Sequence, residues 1–194
     1  AIDIAIKDGA LFGYDFSTRS NSESDHTIIN NGVKMEIKGA NWSSNGFIDY
    51  LNERSLRIAE NVTAEILDYR PFGNPSVESA SGCAFQFAFA TKNIKEASSK
   101  LIECYDADSG AGFYVCGNKV AIFCKTGQPA LVERSFKNGE KHTMAIVVEP
   151  STIFVTRGGS NYSCMKLYLD GEEVGCIGYI STSGAILNSK TVTF

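Results

Sequence analysis

The chain has 194 residues, 43% hydrophobic, 21% charged and 11% aromatic, with 18 Lys+Arg against 22 Asp+Glu for a formal net charge of -4. That hydrophobic content excludes a disordered chain and lets one domain bury roughly 70% of the surface its unfolded chain exposes. Scattered basic residues under a negative net charge exclude a nucleic-acid surface, no apolar run reaches the ~18 residues of a membrane helix, and no secretory signal is visible at the start.

The dominant hydrophobic period is two, the period of strands. Strands are predicted over 32–37, 56–59, 62–67, 84–90, 100–105, 112–116, 120–125, 143–149, 153–156, 165–169 and 173–179. The clearest is 84–90, where Phe85, Phe87 and Phe89 share one face and small residues the other. Residues 93–100 carry a helical turn or two within a loop. Met144, Ala145, Ile146, Val147 and Val148 are apolar on both faces, which marks a central strand or the floor of a groove. Gly117-Asn118 and Asp170-Gly171 are hairpin signals, because Asn, Asp and Gly tolerate the positive φ of tight turns. Asn138-Gly139 and Gly158-Gly159 are further breaks. Many short antiparallel strands without a linker imply an all-β fold, a two-sheet antiparallel β-sandwich or jelly roll.

The order of these strands resembles a concanavalin A-like sandwich of the laminin-G type. Gly13-Tyr14-Asp15-Phe16 is similar to that family's opening strand, residues 55–66 to its first hairpin, and 82–92 to the strand that follows. Residues 100–113 and 138–147 resemble later segments, and 165–174, with Tyr168, Asp170 and Gly171, resembles the family's strand before its Asp-Gly turn. The usual tryptophans are missing: Ala88 lies near one position and Lys141 near the other. His142 falls at the family's structural tryptophan–histidine pair, which implies core packing or a turn hydrogen bond. The resemblance implies one domain over 1–194 that lacks a closing strand and belongs to a longer chain, as the start at Ala1 and the strand-like 190–194 also suggest. Trp-poor, cysteine-containing versions resemble modules of bacteriophage structural polypeptides.

Six cysteines, Cys83, Cys104, Cys116, Cys124, Cys164 and Cys176, allow 15 pairings. With no CxxC and two His, zinc spacing is absent. Apolar neighbours favour free thiols used as small buried hydrophobes, and synthesis in a reducing compartment. The sequons at Asn41, Asn61 and Asn161 match chance and argue nothing about secretion.

Chemistry-bearing residues are sparse. A jelly-roll glycoside hydrolase needs two carboxylates facing each other across a cleft, and Glu36, Glu65, Glu103, Glu133 and Glu149 each stand singly on their strands. His26, in a polar loop, and His142 are the candidates for any Ser-His or Cys-His site, with no activated nucleophile beside them. Asp106 and Asp108, two apart in a Gly-containing loop, offer oxygens to a hard cation such as Ca²⁺. Aromatic rings that stack on sugars are sought at Trp42, Tyr50, Tyr69, Tyr105 and Tyr162. The expectation is a non-catalytic recognition or structural module on a virion or cell surface. It would bind glycan, a partner protein or sister chains, with no nucleic acid and no membrane insertion.

Overall fold

The computed structural model describes residues 13–22, 26–67, 83–105, 112–123, 130–149, 162–180 and 191–193. Among these residues lie 14 strands, all paired antiparallel wherever a register is defined, and no helix. The expected strand over 153–156 and the Gly158-Gly159 break lie outside the described residues. The chain divides into two units, Ala1–Tyr69 with Thr191–Phe194, and Arg70–Lys190.

In the first unit β1 (Thr27–Asn30), β2 (Val33–Lys38), β5 (Thr63–Leu67) and β14 (Thr191–Thr193) follow one another in a sheet. β2 shows why: Val33, Met35 and Ile37 are buried on one face while Lys34 and Lys38 point to solvent. Ala64 and Ile66 of β5 continue that buried face. β3 (Phe47–Tyr50) and β4 (Glu53–Leu56) form a separate hairpin. Tyr14 is buried and its hydroxyl donates to the Val33 carbonyl at 3.0 Å. Burial pushes the Tyr14 phenol up to about 12.

The second unit holds two antiparallel sheets, a sandwich-like arrangement. One is the meander β7 (Lys100–Tyr105), β8 (Gly112–Cys116), β9 (Lys119–Phe123) and β10 (Ala130–Glu133). The other runs β13 (Glu172–Ile180), β12 (Tyr162–Leu169), β11 (Lys141–Glu149) and β6 (Cys83–Ala90). Phe87 of β6 stacks on Phe113 of β8, ring centroids 5.4 Å apart, so the two sheets meet face to face. Val115, Val120, Ile122, Met144, Ile146, Leu167 and Leu169 complete the buried core. β11 is central, paired on both sides, as its doubly apolar sequence requires.

Asp170-Gly171 makes the expected tight turn between β12 and β13, with φ of 50° and 86°. Gly117-Asn118 also turns the chain, but without positive φ at either residue. Glycine is needed at 117 for space instead: a Cβ there would lie 2.9 Å from Ile94 Cγ2 and 3.2 Å from Ala97 Cα. The loop that supplies those atoms holds turns, and the helical turn expected over 93–100 is not formed. Cys116 is a buried free thiol, as expected, whereas Cys176 is free and exposed on β13.

Candidate functional site

Among the described residues of the first unit, Phe16, His26, Trp42 and Phe47 cluster together. Trp42 sits half-buried in the turn between β2 and β3, where Asn45 N–H donates to the Asn41 carbonyl at 2.9 Å. The His26 ring lies parallel to the indole at a centroid distance of 3.5 Å and an interplanar angle of 1°. Phe47 packs against the same indole at 5.2 Å, and Phe16 against Phe47 at 5.9 Å. Gly46 makes room for this packing, since a Cβ there would collide with Trp42 Cε3 and Cζ3. The Asn21 carboxamide fixes the strand below: its Nδ2 donates to the Phe47 carbonyl at 3.0 Å and its Oδ1 accepts the Phe47 N–H at 2.6 Å. His26 Nε2 is buried with no hydrogen-bond partner among the described residues.

Tyr50 lies half-buried at the end of β3, the strand that carries Phe47. Across the hairpin, Arg54 donates through Nε to the Arg19 carbonyl at 3.0 Å and pairs through Nη1 with Asp49 at 3.3 Å. The structure thus places Trp42 and Tyr50 on one unit, with a cation, a carboxylate and an amide on neighbouring positions. Tyr105 ends β7 opposite Gly112, and Tyr162 begins β12 opposite Ile180, both in the second unit. Asp106, Asp108 and Tyr69 lie outside the described residues.

A second polar cluster closes the β12–β13 turn. His142 Nδ1 lies 2.8 Å from Asp170 Oδ2, and His142 Nε2 lies 3.5 Å from Glu140 Oε2. The other Asp170 oxygen accepts the Thr143 N–H at 2.9 Å, and Asp170 N–H donates to the Thr143 carbonyl at 2.8 Å. Phe89 and Phe136 flank the imidazole at 5.8 and 5.0 Å. Burial pushes the Asp170 carboxyl up, but the His142 and Thr143 hydrogen bonds with the charges of His142 and Arg134 outweigh it and hold the group below its ordinary value. His142 Nε2, although 3.5 Å from Glu140 Oε2, is buried with no hydrogen-bond partner among the described residues, whereas the contacts of Asp170 with His142 Nδ1 and Thr143 fasten the turn.

Carboxylates also meet on the sheet of the first unit. Glu36 and Glu65 stand opposite each other on β2 and β5, with Lys38 Nζ 3.5 Å from each. The two carboxylates hold the Lys38 ammonium above its ordinary value, and all three groups reach solvent. Among the described residues no group of three or more His, Cys, Asp or Glu is placed to hold a metal ion.

Sequence reasoning singled out Trp42 but not the residues that pack on it, His26, Gly46 and Phe47. The one usable signal was Asn45-Gly46, three and four residues after the only tryptophan, a turn that must leave space for a large ring. No protein-family model and no curated protein matches the chain.

Proposed function

We propose that the chain is a non-catalytic recognition module of a larger surface-exposed or virion protein, binding glycan or a partner protein through the Trp42 corner. The observation that carries this is the state of Trp42, half-buried and held in one orientation by His26 and Phe47. A pre-oriented aromatic beside polar side chains is the chemistry that sugar rings and protein loops both use. With His26 on one face of the indole, the ligand meets the indole surface left exposed, and Tyr50 at the end of β3 is a second, separate candidate contact on the same unit. The finer arrangement, a concanavalin A-like jelly roll of one domain, rests on the motif order and agrees with the antiparallel sheets. Tyr105 and Tyr162, on the second unit, are separate candidate stacking positions in this reading, and Asp106 with Asp108 a Ca²⁺ site that would raise the melting temperature in calcium over chelator.

A glycan array on the whole chain tests the proposal. The expected result is a defined glycan hit weakened about tenfold by Trp42→Ala and by Tyr50→Ala, with circular dichroism unchanged. No hit, or a hit indifferent to both substitutions, overturns the glycan reading. One observation favours the structural alternative, decoration of an assembly through sister chains. The outermost strands β1 and β10 expose Ile29 at 63% and Leu131 at 57%. Strands that are outermost among the described residues and expose large aliphatic groups are templates for another chain, and sedimentation of the purified chain reads this out directly.

A further inference from the structure

Among the described residues β3 pairs with β4 alone, in the register Phe47 opposite Leu56. One step beyond that pair, Arg57 N–H donates to the Gly46 carbonyl at 2.9 Å. Hydrogen-bonded and non-hydrogen-bonded pairs alternate along an antiparallel ladder. Gly46 with Arg57 is a bonded pair, so Phe47 belongs to a non-bonded one, and its N–H and C=O point away from β4. Phe47 is 1% exposed, and backbone polar groups in such a place need partners.

Asn21 supplies both partners. Its Oδ1 accepts the Phe47 N–H at 2.6 Å and its Nδ2 donates to the Phe47 carbonyl at 3.0 Å. A carboxamide carries a donor and an acceptor side by side, whereas a carboxylate only accepts. The Asn21 side chain thus does for β3 what a neighbouring strand would do. Its oxygen also reaches Gly46, where an added Cβ would lie 3.1 Å from Asn21 Oδ1 and would collide with the Trp42 ring. Carboxamide and indole therefore converge on one glycine, and Phe47 packs on the same indole at 5.2 Å.

We propose that Asn21 is a positioning residue for Trp42: it sets the orientation of the indole through Phe47 and Gly46, and so controls affinity at the recognition surface. The effect on affinity rests on the reading of Trp42 as a ligand contact, whereas the hold on the indole does not. The sheet of the first unit is specified by other residues, the buried Val33, Met35, Ile37, Ala64 and Ile66 of β2 and β5. Substitution at Asn21 therefore displaces the indole and leaves that sheet in place.

Trp42 is the only tryptophan of the chain, so tryptophan fluorescence reports on this site alone. The test is acrylamide quenching of the whole chain, parent against Asn21→Asp and Asn21→Leu, with far-UV circular dichroism alongside. At neutral pH both variants should show a several-fold larger quenching constant with an unchanged dichroism spectrum. Below the ordinary carboxyl range, the protonated group of Asn21→Asp offers one donor and one acceptor. Its quenching should then return to the parent value at the same pH, while Asn21→Leu does not recover. Parental quenching in both variants, or no acid recovery in Asn21→Asp, overturns the proposal. Loss of the β-sheet signal in both variants also overturns it, because Asn21 would then be a folding residue. On the glycan array, Asn21→Leu should weaken a hit bound through Trp42 several-fold. An array without hits overturns the recognition reading, and the quenching result still decides the hold of Asn21 on the indole.

Discussion

Asp170 shows how one residue joins backbone and side-chain requirements. It sits at φ 50° in the turn, where Asp and Asn are tolerated and alanine is strained. Its carboxylate meanwhile takes the Thr143 N–H and His142. Asp170→Ala should therefore lose about 2 kcal/mol, roughly half from backbone strain and half from the lost hydrogen bonds. Asp170→Asn keeps the turn conformation and an acceptor for Thr143, so it should lose less than the alanine variant. Half-exposure of the side chain keeps the ionic part small. The pH dependence has a defined sign. A carboxyl held below its ordinary value when folded contributes stability above the ordinary carboxylate range, and loses it as pH falls through the folded value. Denaturant midpoints against pH should show an acid-side loss in the parent chain that is diminished in Asp170→Asn.

Three hairpins close on two residues that both take positive φ, and they differ in how plainly the sequence announces them. Asn31-Gly32 and Asp170-Gly171 carry the residues such turns want. Leu51-Asn52, between β3 and β4, puts a leucine at φ 53°, where a branched side chain costs about 1–2 kcal/mol. Leu51 is 40% exposed, so little burial offsets that strain. Leu51→Asn should raise the stability of the chain by about 1 kcal/mol, read as an increased melting temperature. The same contrast explains what sequence reasoning reached. Long alternating runs such as 84–90 and 100–105 announced β6 and β7, and 112–116 announced β8. The four-residue strands β1, β3 and β10 have too few alternations to stand out, and β3 is set by a turn residue that propensity argues against. Leu56, read as the start of a strand, is instead the last residue of β4. At the candidate site Trp42 was legible by its rarity, whereas His26 stacks on it from sixteen residues away, a contact no local pattern encodes.

At the scale of the whole chain, the first unit is assembled from sequence-distant parts. β5 pairs with β2 on one side and with β14 on the other, in the register Val192 opposite Ile66 and Thr193 opposite Glu65. Ile66 is 1% exposed and anchors the buried face that Met35 and Ile37 share. Without β14 the backbone groups of β5 that face it return to solvent, and an interior strand becomes an edge. Removing residues 191–194 should therefore lower the hydrogen-exchange protection of the β5 amides, with opening more frequent by about tenfold for each 1.4 kcal/mol lost. The β11 and β12 amides within the second unit pair with each other and with β6 and β13, none of which the deletion touches. A protection loss at 63–67 that spares 144–149 and 162–169 is the expected map. Unchanged exchange at 63–67 would mean that the contribution of β14 to the first unit is negligible, and a uniform loss would mean that both units open as one.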